Sequence, residues 1–303
     1  MKYFVVKEKS EVGFTKPVEI NEINFEKLTN SHSPYIQRNG EENRYFAFCP
    51  HCKNPVQIVG LYKKQEQKQL DTVRKAFGRH TENKALLELY KSAVPYKTCP
   101  YFAPRNYDIN ARRSKDDELD IFIRADFVNH FDKIVHVLKN TTGIRYGNGL
   151  LIKMIDSYCY SVGWNYIGAT LENIPWIFGY MAKNQNLFGQ YIKKDGFLHN
   201  ELKKEKYNSI FSDGKDFVKF NGFKNKGAFL KHFYTQHNSS PKNGVLSENI
   251  TMVVHIDYNN GDSSRILEKK LTFDHDYYHN IKHYNNWVCD EEKLKLVAHL
   301  KKM

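Results

Sequence analysis

Apolar and polar positions along the chain change period several times, and each change predicts an element. Residues 44–48 and 55–61 are short β-branched and aromatic runs that flank the turn at Cys49-Pro-His-Cys52, which predicts two strands around it. Residues 2–7 predict another short strand, and residues 8–43 are polar and turn-rich. Leu70, Val73 and Phe77 recur at helical spacing, predicting an amphipathic helix over 63–77 that Gly78 ends. Leu86, Leu87, Leu89 and Tyr90 predict a second helix over 83–94, stopped by Pro95.

From 99 to 120 the chain is rich in Pro, Asn and charge and reads as a connector. Beyond it a strand is predicted over 119–124. Helices follow over 128–139, 149–162, 201–211 and 226–237, and over 290–302 with Asp290 as N-cap. Residues 173–182, with Trp176 and Phe178, are apolar enough to be buried; together with Trp164 they form a block whose alternative role is to pack against a partner protein. Two alternating runs around Asn259-Asn260-Gly261-Asp262 predict a β-hairpin. The pattern as a whole predicts an α+β, mainly helical chain. A zinc-ribbon-like N-terminal module would span 1–115, and a larger helical domain 116–303 would carry the hairpin near 250–273.

Composition narrows the class. The 303 residues are 41% apolar and 26% charged, which is globular rather than disordered. The start lacks the apolar core of a secretory signal, and the most apolar window, 174–182, is about half the length needed to span a bilayer. Five cysteines are too few and too uneven for a disulfide scaffold, so a cytoplasmic protein with no membrane partner is expected.

The net charge of +12 is unevenly placed. Residues 44–115 hold 15 Lys/Arg against 5 Asp/Glu, a net +10, whereas residues 1–43 and 116–303 are close to balance. A lysine bias of the genome would spread along the chain; concentration in one segment points to a polyanion partner, DNA or RNA. Arg74, Lys75, Arg79, Arg105, Arg112 and Arg113 are the candidate phosphate contacts, because a guanidinium presents a planar fork of donors.

The same segment carries the candidate metal chemistry. A Cys-x-x-Cys turn between strands supplies two thiolates to one ion, and a closed tetrahedral site needs two further ligands. His80 and Cys99 are the downstream candidates, with 27 and 18 intervening residues, so Cys49, Cys52, His80 and Cys99 form a Cys₃His set for a structural Zn²⁺. His51 is a reserve ligand, disfavoured by its place between two near-adjacent cysteines. A redox pair would open a helix, and Pro55 and the strand flanks argue against that. Cys159 and Cys289 read as packing residues.

No phosphate-binding glycine loop, nucleophile elbow or HExxH motif is present. Three weaker constellations remain. Asp257, Glu268 and Lys270 on the predicted hairpin resemble the acid and Glu-x-Lys arrangement by which a metal-dependent nuclease holds Mg²⁺. His275, His279 and His283 would share a helix face beside Asp274 and Asp276. Arg124 and Asp126 beside His130 read as a buried ion pair. The expectation is therefore a non-catalytic zinc protein that binds nucleic acid. A nuclease, or an interaction subunit of a larger nucleoprotein assembly, are the alternatives.

Overall fold

A computed structural model describes residues 1–8, 13–62, 75–114, 117–224, 227–242 and 245–302. It is 33% helical and 31% strand, with several antiparallel sheets, so the expectation of a mainly helical chain is wrong. Contacts group the chain into two compact units, Met1–Arg105 with Ser239–Ser247, and Asn106–Asn238 with Glu248–Met303.

In the first unit, β1 (Tyr3–Phe4) pairs antiparallel with β2 (Val18–Glu19). Helix α1 (Glu22–Thr29) starts where the Asn21 side chain accepts from the Asn24 amide at 2.8 Å, and ends at Asn30 in the left-handed region. The predicted strands around the Cys49 turn then form. β3 (Ile36–Asn39), β4 (Glu42–Phe48), β5 (Pro55–Val59) and β6 (Phe77–His80) make one antiparallel sheet in that order. The body of the helix predicted over 63–77, and Arg74 with it, lies outside the described residues. Its end is overturned: Phe77 and Gly78 belong to β6, paired with Val59 and Ile58. Gly78 is not a helix stop. A Cβ there would meet the Met1 side chain at 3.0 Å, so the small residue serves close packing. Helix α2 (Lys84–Leu89) is shorter than predicted and is capped by Asn83, which accepts from the Leu86 amide at 3.1 Å. Phe4, Phe25, Phe48, Val56, Ile58 and Leu86 form the core, together with Cys49, Cys52 and Cys99. A two-residue strand, β7 (Arg105–Asn106), follows.

The second unit opens with helices where a strand was expected. Residues 119–124 begin α3 (Leu119–Asn129), because Leu119, Ile123 and Phe127 recur every four residues and all three are buried. α4 (Phe131–Thr142) ends at Gly143, whose φ of 71° closes the helix and admits β8 (Ile144–Arg145). α5 (Asn148–Tyr160) and α6 (Ile174–Met181) complete the helical layer, and every residue of α6 is buried. Phe127, Phe131, Tyr158 and Phe178 meet with ring centroids between 4.6 and 5.8 Å. Trp176 and Phe178 are thus core residues rather than a docking face.

β9 (Gln185–Asn186), β10 (Tyr191–Lys193) and α7 (Phe197–Leu202) follow. The helix predicted over 201–211 gives way to β11 (Ser209–Ser212), which pairs with β12 (Phe217–Phe223) in the sheet ordered β11-β12-β10-β8. The helix predicted over 226–237 does not form among the described residues 227–237 either. Residues 228–237 belong to β13 (Ala228–Lys242), where Leu230, His232 and Tyr234 are buried at period two. β13, β14 (Val245–Tyr258) and β15 (Ser263–Thr272) are neighbours in the largest sheet. The predicted hairpin joins the last two, with Gly261 at φ 89° in its turn. α8 (His275–Lys282) and α9 (Glu291–Val297) follow, and a 3₁₀ segment, Ala298–Lys302, continues α9; Asp290 caps α9 as predicted, accepting from the Lys293 amide at 3.2 Å.

Glu248 is fully buried in this unit. Its carboxylate accepts from His237 Nε2 at 3.0 Å, from His275 Nε2 at 2.8 Å and from the Asn173 amide at 3.1 Å. Burial pushes the carboxyl pKa up, but the two histidine hydrogen bonds outweigh it and hold the group down at about 2. A carboxyl depressed below its ordinary 4.5 adds stability above that value and loses it as pH falls toward 2. Glu248→Gln should therefore cost about 3 kcal/mol in urea unfolding at pH 7, because it leaves the histidines facing a neutral group. The difference from the wild type should shrink as pH falls from 4.5 toward 2.

Candidate metal centre

The chain reverses tightly between β4 and β5. The Cys49 amide donates to the Asn54 carbonyl at 2.8 Å and the Lys53 amide to the Cys49 carbonyl at 2.9 Å, with Lys53 at φ 55°. Both cysteine side chains therefore leave the same side of one turn. A second turn, formed by the 3₁₀ segment Tyr96–Thr98, presents Cys99, whose carbonyl accepts from the Phe102 amide at 3.0 Å. His80 is not in a loop after a helix, as the sequence implied, but is the last residue of β6, in register with Val56.

These segments converge. The Cys49 and Cys99 sulfurs are 3.8 Å apart, and His80 Nε2 is 3.1 Å from the Cys52 sulfur. All four donor atoms lie within 4.8 Å of one another. Thiolates about 2.3 Å from a tetrahedral ion are separated by ~3.8 Å, the edge of that tetrahedron. The cluster can hold a metal ion. His51 is not part of it, although it too is buried.

The cysteines have no exposed surface, whereas His80 is half-buried behind Tyr96, which stacks on it at 6.2 Å, and Phe102, edge-on at 6.1 Å. Burial drives the Cys52 thiol pKa up, yet hydrogen bonds from Cys49, Cys99 and Asn54 carry it well below the ordinary value. Cys99 goes the other way, raised by burial and by the two neighbouring sulfurs. A bound metal would ionise all three cysteines.

Two residues that motif reasoning missed clamp the first turn. Asn54 donates from its side chain to the Cys52 carbonyl at 3.0 Å and to the Val94 carbonyl at 2.7 Å, and the Ser92 hydroxyl donates to the Cys52 carbonyl at 2.6 Å. Only Asn54 gave a local signal, two residues past the second cysteine. The two cysteines outside the cluster differ: Cys159 is half-buried, and Cys289 is exposed rather than packed.

The basic candidates divide. Lys75 and Arg79 are exposed, and Arg79 donates to the Gln57 side chain at 2.8 Å. Arg105 is half-buried. Arg112 and Arg113 are occupied internally. Arg112 donates to the carbonyls of Ser161 and Ile109 at 3.0 and 2.6 Å. The Arg113 side chain is 4% exposed, paired with Asp120 at 2.7 Å and donating to the carbonyls of Trp164, Tyr166 and Ala169. A guanidinium spent in this way cannot reach phosphate, so Arg113 is a structural residue. Arg44, which the charge pattern alone does not single out, shares a face of the sheet with Gln57 and Arg79; the three line a groove of about 540 Å³ with Tyr45 and Tyr62.

The hairpin does not bring Asp257, Glu268 and Lys270 together. In register Glu268 faces Val253, four residues along β14 from Asp257, which is roughly 13 Å at 3.3 Å per residue. Asp257 is paired with Lys231 at 2.7 Å, Glu268 with Arg265 at 2.7 Å, and Lys270 sits opposite Thr251. Of the histidine stripe, His275 is spent on Glu248, while the rings of His279 and His283 lie 4.6 Å apart. Asp126 is the centre of a buried pair, though with Lys282 at 3.0 Å rather than with Arg124. Among the described residues no helix is long and apolar enough to cross a membrane. No known protein family, curated protein or solved structure matches the chain.

Cys99→Ser should abolish stoichiometric metal binding, and Asn54→Ala should weaken it by about 10- to 100-fold, as loss of a supporting hydrogen bond does. Mass-spectrometric metal analysis after dialysis against graded chelator reads both.

Proposed function

We propose that the first unit is a zinc-stabilised module that binds nucleic acid through the groove between Arg44 and Arg79. Zinc is the metal the donor set favours: three thiolates and one imidazole are soft and borderline ligands, and a closed tetrahedral set suits an ion without redox or geometric demands.

The observation that carries the reading is the link between cluster and groove. Arg79 directly precedes the ligand His80 in β6, and β4 runs from Arg44 to Cys49. A metal that clamps Cys49 and His80 therefore also holds the two guanidiniums on one sheet face. Gln57 between them supplies further donors, and Tyr62, which also lines the groove, a ring of the kind that meets unpaired bases. Tyr45 and Tyr62 lie 4.8 Å apart, and the Tyr62 hydroxyl donates to Glu26 at 2.6 Å, which fixes that ring. The metal is structural in this reading; it shapes the sheet and touches no substrate.

Fluorescence anisotropy with single- and double-stranded RNA and DNA should show binding that weakens steeply with salt. Arg44→Gln with Arg79→Gln should reduce the slope of log affinity against log salt by about 1.4 to 1.8, the counterions of two phosphate contacts. Absence of binding to all four nucleic acids at low salt would end this proposal.

A further inference from the structure

The second unit has a cavity of about 530 Å³ that the metal centre and the groove do not involve. It is within the size range of small-molecule sites. Its wall combines three cations, Lys139, Arg145 and Lys293, with the aromatic residues Trp287 and Tyr191.

The acids near it are already committed. The Asp132 carboxylate accepts from the Trp287 indole N–H at 2.7 Å, from the Asp290 amide at 3.2 Å and from the Lys133 amide at 2.8 Å. Asp290 caps α9. Lys293 is turned to the Asn148 side chain. Lys139 and Arg145 are different: among the described residues neither is in an ion pair. Lys139 is half-buried, and its ammonium pKa is lowered by burial and then by Arg145. Two like charges held together, one of them partly desolvated, destabilise the free protein, and an anion would relieve that cost.

The aromatic part of the wall is held in place. The Arg145 guanidinium carbon lies over the Phe217 ring, 4.6 Å from its centroid, and over the Tyr191 ring at 5.9 Å. A guanidinium held over a ring keeps N–H donors that can meet an anion. Trp287 is fixed by Asp132 and by His136, whose ring meets it edge-on at 4.9 Å. The pKa of His136 is lowered by burial and then by Lys139, so at neutral pH its imidazole adds no positive charge. The cavity thus combines cationic groups and planar aromatic rings within one space.

We propose that this cavity binds a nucleoside monophosphate unit, its phosphate held by Lys139, Arg145 and Lys293 and its base placed against Trp287 and Tyr191. The same unit could be a free nucleotide or the 5′-phosphorylated end of a strand. The site is independent of the zinc module, and the two proposals stand or fall separately.

Isothermal titration calorimetry of the full chain with the four 5′-monophosphates tests it. At least one should bind, and adenosine and inorganic phosphate should each bind at least tenfold more weakly than the best nucleotide. Lys139→Gln with Arg145→Gln should lower that affinity at least tenfold, with a thermal midpoint equal to or above the wild type, since a repulsion has been removed. Tyr191→Leu should weaken nucleotide but not inorganic phosphate. Arg44→Gln with Arg79→Gln should leave nucleotide affinity unchanged, which separates this site from the groove. A 5′-phosphorylated oligonucleotide that competes better than its unphosphorylated form, and better than the mononucleotide, identifies the strand end; the reverse order identifies the free nucleotide. The proposal is overturned if no monophosphate binds at up to about 5 mM. It is equally overturned if inorganic phosphate binds as well as the nucleotides, or if the folded double variant keeps its affinity.

Discussion

Three sulfurs and an imidazole nitrogen within 4.8 Å of one another, with the cysteines fully buried, impose the constraint around which the first unit is built. The donors come from a β-turn, the end of a strand and a second turn, separated along the chain by two long intervals. Bringing them together fixes the β4–β5 reversal, sets where β6 ends, and ties the 92–94 loop to the first turn through Asn54 and Ser92. Thiolates so close repel one another and lose hydration, so a bound cation would turn the least favourable part of the core into its strongest tie. The hydrophobic cluster around it, with Phe48, Val56 and Leu86, surrounds the sulfurs rather than forming a separate core.

The second unit solves a related electrostatic problem without sulfur. Glu248 has no exposed surface, and its charge is answered by His237, His275 and Asn173. Arg113 is answered by Asp120 and three carbonyls, and Asp126 by Lys282. Each of these three charges has a partner from another element, as low dielectric requires. Lys139, half-buried, and Arg145, exposed, are in no ion pair among the described residues, and the cavity they share with aromatic rings gives them a functional interpretation.

Several elements were legible because their signals are local. The Cys49–Cys52 turn flanked by β-branched and aromatic runs, the hairpin at Asn260-Gly261 and the Asp290 cap depend on residues a few positions apart, and each forms as read. The donor set was legible for a different reason: Cys and His have few alternative uses at such positions, and the structure gathers the four that were named. Residues 119–124 and 226–237 were misread. Ile121, Phe122 and Ile123 favour a strand by propensity, yet burial at every fourth position makes them helical. Conversely, Phe229 to Tyr234 can satisfy either period until a neighbouring strand supplies the hydrogen bonds.

The charge argument shows where sequence reading ends. Composition determines that 44–115 is basic, and residue type determines which side chains can ligate a soft metal. Neither can distinguish Arg79, on an exposed sheet face, from Arg113, sealed against Asp120, because the two differ only in what the fold places around them. Nor can they pair Lys139 with Arg145 and Trp287 around one cavity. Local chemistry is written in neighbouring residues. Burial, the choice of His80 over His51 and the neutralisation of each charge depend on contacts between distant segments, and those exist only once the chain has folded.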